Sequence, residues 1–266
     1  MNPLLNVLTY EALAIAGLVL FVWLSSLYLR DASLVDRYWG AGFVVAAAVA
    51  FAVTDNADPR RYLVLGMVAL WGLRLSLYLT KRNWGHGEDY RYQAMRRRHG
   101  DRFPIVSLVT VFALQGALMW FIGLPVALAM ASGEPEALTP LDYIGVTVFA
   151  VGFAFESIGD AQLARFKANP DNKGKVMDRG LWRYTRHPNY FGDAVLWWGI
   201  YLTCAATPYG RWAILSPIAM TILLMKVSGV PLLERRMAKT RPNYADYAAR
   251  TSGFIPWPPK PGTQSR

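Results

Sequence analysis

The sequence has little cysteine, histidine or charge. It contains one cysteine and three histidines in 266 residues, and only 17% of its residues are charged. The lone Cys204 excludes an intramolecular disulfide and a cysteine-based metal cluster. His86, His99 and His187 lack the close spacing of a zinc site, so we expect no bound metal. A soluble globular protein would be an unusual interpretation of so few charges.

Apolar residues make up 54% of the chain and are concentrated in long runs. About 20 consecutive apolar residues are needed to cross a bilayer as a helix. The sequence therefore predicts an all-α integral membrane protein with seven transmembrane helices. The predicted spans cover residues 6–29, 39–53, 62–80, 105–131, 141–163, 190–206 and 212–233.

Lysine and arginine residues are concentrated in alternate connections between these spans. The connection after the first span and residues 81–102, 165–186 and 226–266 hold 24 of the 28 basic residues. Because basic loops stay on the cytoplasmic side, we predict that the N-terminus lies outside and the C-terminus is cytoplasmic. The formal charge of +10 suits anionic lipid headgroups or an anionic cofactor. Basic residues split among loops do not form a nucleic-acid-binding stripe, so we expect no nucleic acid partner.

Several ionisable residues lie within the predicted spans, near their inner ends. These residues are Arg74, Glu156, Asp160, Asp193 and Lys226. An ionisable group at the bilayer centre costs roughly 2.5–3.5 kcal/mol, and such groups are usually functional. Each one alone is equally explained by snorkelling or by a structural hydrogen bond. Clustered at one membrane side, they predict a pocket that opens to the cytoplasm.

Glu156 and Asp160 are four residues apart and share one helical face. Two like charges at this spacing destabilise an isolated helix, so a partner is expected. Ribose hydroxyls or the basic residues between 165 and 179 would compensate. Charge balance at a helix end is the plainer alternative, but anions at a helix C-terminus oppose the helix dipole.

The densest polar segment covers residues 179–193, with the sequence RGLWRYTRHPNYFGD. Pro188 suits the first turn of a helix, because that turn does not need its N–H. Asn189 and Asp193 then share one face of this helix. Guanidinium, imidazole, phenol and amide groups together can hold phosphates and a ribose. The segment therefore predicts a polar ligand site at a membrane face.

Two N-terminal segments also carry polar groups. Residues 81–92 mix charged, aromatic and glycine residues, which indicates an ordered lid. Asp36 and Tyr38 lie at the cytoplasmic mouth of the second predicted helix, next to Trp39. An interfacial aromatic belt would explain the aromatic residues but not Asp36.

The patterns at residues 35–40, 88–96 and 180–193 resemble the bacterial branch of the steroid 5-alpha-reductase-like membrane proteins, over most of the chain. The C-terminal half is also similar to isoprenylcysteine carboxyl methyltransferases, which share the Arg-His-Pro-x-Tyr element. The C-terminal motifs therefore indicate a nucleotide-type pocket and leave its cofactor open. The N-terminal elements and the seven predicted spans favour the reductase.

The reductase resemblance implies a single transmembrane domain over residues 1–266, monomeric and located in the bacterial inner membrane among its lipids. Helices one to four would lie on the substrate side, and helices five to seven with the cytoplasmic loops on the cofactor side. The implied cofactor is NADPH. The implied reaction reduces a carbon–carbon double bond conjugated to a carbonyl in a lipophilic, sterol-like molecule. The alternative is a membrane methyltransferase that uses S-adenosylmethionine.

The resemblance also implies site residues. Its first choices for cofactor contacts are Asp160, Lys167, Tyr184, Asn189, Asp193 and Lys226. Its second choices are Arg165, Arg179, Arg186, His187 and Arg235.

On the third helix, the register that aligns Arg74 and Tyr78 with the family places Trp71 where the steroid reductases have the tyrosine that donates to the substrate carbonyl. The catalytic donor is therefore expected from Tyr38 or Tyr78, supported by Asp36. Trp39, Trp71 and Gln115 are expected to line the substrate side. This departure also means that the natural substrate need not be a steroid.

Overall fold

The computed structural model describes residues 2–56, 58–227 and 229–260. Within these residues the chain is helical, and its β pairing is limited to an isolated bridge between Thr185 and Ser252. The all-α prediction is confirmed. The chain forms two compact units, Met1–Asp142 with Thr203–Ser216, and Tyr143–Leu202 with Pro217–Arg266. The single domain expected over residues 1–266 stays a prediction.

The first unit is built mainly from the N-terminal half of the chain. A π-helical segment, Leu108–Ala113, joins α5 to α6, and 3-10 turns occupy Gly100–Arg102 and Gly210–Ile214. Its α-helices are α1 (Pro3–Leu29), α2 (Leu34–Val53), α3 (Arg60–Asn83), α4 (Tyr90–His99), α5 (Phe103–Ser107), α6 (Leu114–Ile122) and α7 (Leu124–Ser132).

The second unit takes most of α8 and the helices that follow. The 3-10 turns Pro170–Asn172 and Gly180–Arg183 lie between α8 and α9, and a π-helical segment, Leu223–Val227, follows α10. The helices are α8 (Pro140–Ala168), α9 (Pro188–Ala205), α10 (Leu215–Ile222), α11 (Val230–Thr240) and α12 (Tyr244–Arg250).

Six helical segments in the described residues are long and apolar enough to cross a membrane, as expected of a multi-pass membrane protein. The predicted sixth span corresponds to α9, which is not one of the six. Asn189 and Asp193 in its first turns, together with its tryptophans and tyrosines, lower its hydropathy. Seven spans and the orientation of the termini stay predictions. The six segments are Pro3–Leu29, Leu34–Val53, Arg60–Asn83, Tyr90–Ile122, Pro140–Ala168 and Gly210–Thr240.

The predicted fourth span, residues 105–131, is interrupted at Gly123, which separates α6 from α7. Pro125 lies in the first turn of α7. Because proline has no backbone N–H, it cannot bond the carbonyl one turn earlier, and a new helix begins instead. The apolar segment in this part of the chain therefore ends at Ile122, nine residues before the predicted end of the fourth span.

A buried clamp ties the connections of the first unit to each other. The Arg60 guanidinium is completely buried and binds two carboxylates, with Nε 2.7 Å from Asp142 Oδ1 and one terminal nitrogen 2.6 Å from Asp58 Oδ2. It also donates to the carbonyls of Pro135 and Ala137. This clamp fixes the start of α3 to the start of α8 and to the loop before α8.

Glycines set the distance between α8 and α9 in the second unit. Gly145, Gly152 and Gly159 recur every seven residues on α8, and Gly192 and Gly199 do so on α9. A Cβ at Gly152 or Gly192 would overlap backbone atoms of the facing helix. Small residues on one face let two membrane helices approach backbone to backbone. This approach brings the polar end of α8 against the first turn of α9.

Candidate functional site

The centre of the candidate cofactor site is a hydrogen bond between α8 and α9. Asn189 Nδ2 donates to Asp160 Oδ1 at 3.1 Å, and Asp160 is buried. A Cβ at Gly159 would lie only 3.2 Å from the backbone nitrogen of Asn189, so the lack of a side chain at Gly159 permits the contact between Asn189 and Asp160. Asp193 lies one turn further along α9 and Glu156 one turn earlier on α8, and both are buried. The structure thus gathers three carboxylates and one carboxamide on two neighbouring helices.

The segment before α9 is fixed onto the C-terminal end of α8. The Leu181 nitrogen donates to Gln162 Oε1 at 3.0 Å, and Trp182 Nε1 donates to the Gly159 carbonyl at 3.0 Å. Gly180 has a φ of 59°, a conformation that favours glycine, and a Cβ there would collide with the Gln162 side chain. The Gly-Leu-Trp motif therefore positions the 180s segment next to Asp160.

Arg186 and His187 converge on Glu234. Arg186 Nε lies 2.8 Å and His187 Nε2 3.1 Å from Glu234 Oε1. Arg186 also donates to the Ala248 carbonyl at 2.7 Å. These bonds join the start of α9 to α11 and α12, which is a structural task. A ligand contact for these two residues stays a prediction.

Two buried tyrosines on α12 complete this junction. The Tyr247 hydroxyl donates to the Trp182 carbonyl at 2.6 Å. Burial, with a further contribution from Glu234, raises the pKa of Tyr244 to about 12. Burial likewise raises the pKa of Tyr247 above its ordinary value. Both phenols therefore stay protonated in the folded protein near neutral pH.

The remaining predicted cofactor residues lie on exposed parts of the second unit. Tyr184 is 43% exposed. The side chains of Arg165, Lys167, Lys226 and Arg235 are also exposed, and Arg179 lines an open cleft. The described residues show no polar contact between the Asp160–Asn189 pair and the side chains of Arg165, Tyr184, Lys226 or Arg235. A cofactor held by the Asp160–Asn189 pair would have to extend to the surface to contact these residues.

In the first unit, Asp36 is bonded to α4. Its Oδ1 accepts from the Tyr92 hydroxyl at 3.0 Å, and its Oδ2 accepts from Arg91 at 3.0 Å. Asp89 caps α4 by accepting from the Arg91 nitrogen at 2.9 Å. The predicted partners of Asp36 were Tyr38 and Tyr78, so Tyr92 was missed as a partner. The Glu-Asp-Tyr-Arg-Tyr motif at residues 88–92 was the available signal.

The two tyrosines expected as donors have other surroundings. Tyr38 packs against a hydrophobic cluster that includes Val35 and Phe112. The Tyr78 ring faces the guanidinium groups of Arg74 and Arg82, at 5.4 and 5.7 Å from its centroid. No hydrogen bond joins Asp36 to Tyr38 in the part of the chain that the structure describes. A catalytic role for Tyr38 or Tyr78 stays a prediction.

The segment expected to be an ordered lid, residues 81–92, runs from the last turn of α3 to the first turn of α4 and is anchored at Glu88. Glu88 Oε1 accepts from the Ala32 nitrogen at 2.9 Å, where α1 turns into α2. The same carboxylate accepts from Arg96 at 2.8 Å. The position of Asp36 relative to Tyr92 is therefore held by several charged hydrogen bonds.

Two of the three expected substrate residues belong to one aromatic row. The Phe43 ring makes edge contacts with Trp39 at 5.3 Å and with Trp71 at 5.4 Å. Trp71 is fully buried, which core packing explains. Gln115 is partly buried on α6, just after the π-helical segment. Substrate contacts for all three stay predictions.

Comparisons with known proteins find similar proteins and do not fix a reaction. An uncharacterised protein of Schizosaccharomyces pombe is 24% identical over 264 residues, covering 88% of this chain and 75% of that protein. A probable O-methyltransferase of Ustilaginoidea virens is 33% identical over 108 residues, covering 40% of this chain and 38% of that protein. No solved structure matches the chain.

The family comparison covers most of the chain. The family model described as "Protein of unknown function (DUF1295)" matches residues 22–251. This range includes Asp36, α4, the Asp160–Asn189 pair and the junction around Glu234. The protein therefore belongs to the DUF1295 family.

Proposed function

We propose that this protein is a membrane reductase that uses NADPH to reduce a carbon–carbon double bond conjugated to a carbonyl in a lipophilic, sterol-like molecule. The observation that carries the proposal is the part-buried Asn189–Asp160 hydrogen bond between α8 and α9. The resemblance of the surrounding motifs to steroid 5-alpha-reductase-like proteins supports it.

The residues around this pair suit a dinucleotide. Buried carboxylates and a carboxamide match the hydroxyl and amide groups of a ribose and a nicotinamide, because each offers complementary donors or acceptors. Asp160, Asn189 and Asp193 would hold these groups. Exposed arginines and lysines between residues 165 and 186 would bind the phosphates through charge-assisted hydrogen bonds. The 2′-phosphate gives NADPH more such contacts than NADH.

The protein's own chemical task lies at the substrate carbonyl. NADPH, when bound, supplies the hydride for the reduction. Negative charge then builds on the carbonyl oxygen, and a phenol or acid directed at that oxygen stabilises it. We expect Asp36 with Tyr38 or Tyr78 to donate a proton to that oxygen.

The observed geometry adds Tyr92 as a candidate in the same role. Its hydroxyl donates a hydrogen bond to Asp36, so the phenol and the carboxylate are in direct contact. Arg91 holds the same carboxylate in place. Tyr92→Phe would remove the phenol and keep the ring packed in its cluster, which distinguishes this donor from Tyr38 and Tyr78.

A second candidate function is methyl transfer from S-adenosylmethionine. The similarity to a probable O-methyltransferase over part of the chain favours it. A buried carboxylate and carboxamide would also suit the ribose of that cofactor. S-adenosylmethionine has no phosphates, however, so the cations near the pair would lack a partner.

Titration of the purified full chain with each cofactor separately tests the choice. We expect NADPH to bind and Asn189→Ala to weaken its binding about tenfold, the loss expected for one hydrogen bond. Asn243→Ala is the matched control, because Asn243 is exposed at the start of α12. Binding of S-adenosylmethionine without any response to NADPH would reverse the assignment.

Turnover is tested with a 3-oxo-4-ene steroid and NADPH, followed by the loss of the reduced nicotinamide absorbance. We expect steroid-dependent oxidation of NADPH that Asp36→Asn reduces strongly. NADPH binding without turnover would keep the cofactor assignment and remove this class of substrate.

A further inference from the structure

An open, cation-lined cavity lies in the second unit, outside the six apolar segments. Its volume is about 660 Å³. One wall is the 3-10 turn at residues 180–183 with the residues before it, and the other is the end of α12 with the segment up to Lys260. Its charged lining residues are Asp178, Arg179, Arg183, Arg250 and Lys260.

The charges of this cavity do not balance. Four cations and one carboxylate leave an excess of three positive charges. The carboxylate is already engaged, because Asp178 Oδ2 lies 2.7 Å from Arg250. Arg179, Arg183 and Lys260 have no ion-pair partner anywhere in residues 2–56, 58–227 and 229–260. A concave surface lined by one sign of charge attracts a counter-ion.

The walls of the cavity are held by hydrogen bonds between distant segments. The backbone nitrogen of Trp257 donates to the Tyr184 carbonyl, and the backbone nitrogen of Arg186 donates to the Ser252 carbonyl, each at 2.9 Å. The backbone nitrogen of Lys260 donates to the Arg250 carbonyl, also at 2.9 Å. Because the backbone is fixed on both sides, only the side chains of the three cations have to be ordered on binding.

A general role in membrane orientation explains this arrangement poorly. Basic residues that act as cytoplasmic anchors need only lie in the right connection. Here, cations from two segments about 70 residues apart in the chain line one concave site. Guanidinium groups also have the planar, multiple-donor geometry that suits phosphate oxygens.

We propose that this cavity is a binding site for a phosphate group, carried either by a soluble nucleotide or by an anionic phospholipid headgroup. Arg179 and Arg183 from one wall and Lys260 from the other would be its principal ligands. The site shares Arg179 and Arg183 with the basic segment proposed to bind the cofactor phosphates, so its nucleotide source rests on the proposed function. It requires neither a hydride transfer nor the Asp160–Asn189 pair.

Two charge-removing variants test the site. Arg183→Gln and Lys260→Gln each remove one cation from an exposed side chain, so both are expected to fold as the unmodified protein does. Lys239→Gln is the matched control, because Lys239 is exposed on α11 and does not line the cavity. Thermal unfolding of all four proteins checks their folding.

The nucleotide source is measured with 2′,5′-adenosine bisphosphate, using the full chain in nanodiscs of phosphatidylcholine. We expect each cavity variant to weaken binding about tenfold, the effect of one charge-assisted contact, and the control to leave it unchanged. The lipid source is measured in nanodiscs that also contain phosphatidylglycerol, by native mass spectrometry of the lipid retained. Selective loss of phosphatidylglycerol from the two variants would assign the site to a headgroup.

Equal nucleotide binding and equal lipid retention in the variants and the control would overturn the phosphate site. This result is distinct from failure of the reductase. NADPH turnover with unchanged affinity in Arg183→Gln and Lys260→Gln would leave the reductase standing and remove the site. Bisphosphate binding that both variants weaken, without steroid turnover, would support the phosphate site and remove the reduction of this class of substrate.

Discussion

Asn189 and Asp160 are hydrogen bonded across the α8–α9 contact, at 3.1 Å between Nδ2 and Oδ1. They are 29 residues apart in the chain, and their meeting depends on the glycine faces of the two helices. The bond holds a carboxylate and a carboxamide at fixed positions on the two helices.

The Asp160→Asn variant removes the negative charge of the side chain and keeps nearly the same shape. An amide oxygen can still accept from Asn189, so the unfolding temperature should change little. We expect affinity for NADPH to fall about tenfold, because a charged acceptor is replaced by a neutral one. Titration calorimetry measures this loss. Asp171→Asn, at an exposed residue after α8, is the control, and equal affinities would remove Asp160 from the site.

Gly192→Ala should destabilise the protein through the helix contact. The added Cβ would overlap the Glu156 nitrogen, and overpacking of this kind costs about 1–3 kcal/mol. Gly66→Ala is the control, since nothing lies within 4 Å of a Cβ there. That change should stabilise α3 by about 1 kcal/mol, because alanine favours helices. Thermal unfolding compares the two, and similar shifts would contradict the close α8–α9 packing.

Arg60→Met should be the most destabilising of these changes. It would leave the buried carboxylates of Asp58 and Asp142 without their cation, and such a loss costs about 3–5 kcal/mol. Arg98→Met removes the same charge from an exposed position on α4 and should have little effect. Circular dichroism during heating measures both. A normal unfolding temperature for Arg60→Met would show that the clamp is dispensable.

Tyr244 predicts a loss of stability at high pH. Its pKa is raised from the ordinary 10.0 to about 12 in the folded protein, so folding favours the neutral phenol. The stabilisation is present below about pH 10 and is lost as the pH rises towards 12. Tyr244→Phe should therefore flatten the fall of unfolding temperature over this interval, compared with unmodified protein. Tyr209→Phe, at a tyrosine that is 68% exposed, should not.

The helices were largely predictable because their apolar runs are long. The interruption at Gly123 was missed, because the residues on both sides are apolar and hydropathy does not register the missing N–H of Pro125. The polar start of α9 was recognised from its motif, although its hydropathy is low for a span. In each case the observed structure depends on individual residues, a proline or polar side chains, which the mean hydropathy of the segment does not describe.

The site was predictable one residue at a time but not as a set of partners. Asp160 and Asn189 were both expected near a cofactor, and their mutual bond depends on tertiary packing. Asp36 was singled out, while Tyr92 was not identified as its partner because 56 residues separate them. Lys260 and Arg183 line one cavity although an even longer stretch of chain separates them, which no local pattern indicates.

The backbone bonds between the segment at 252–260 and the residues at 184–186 have a consequence for biosynthesis. Translation must continue past Lys260 before that segment can close over the earlier loop. Until then, the second wall of the cavity is missing. The proposed phosphate site is thus complete only after all the preceding helices have been synthesised.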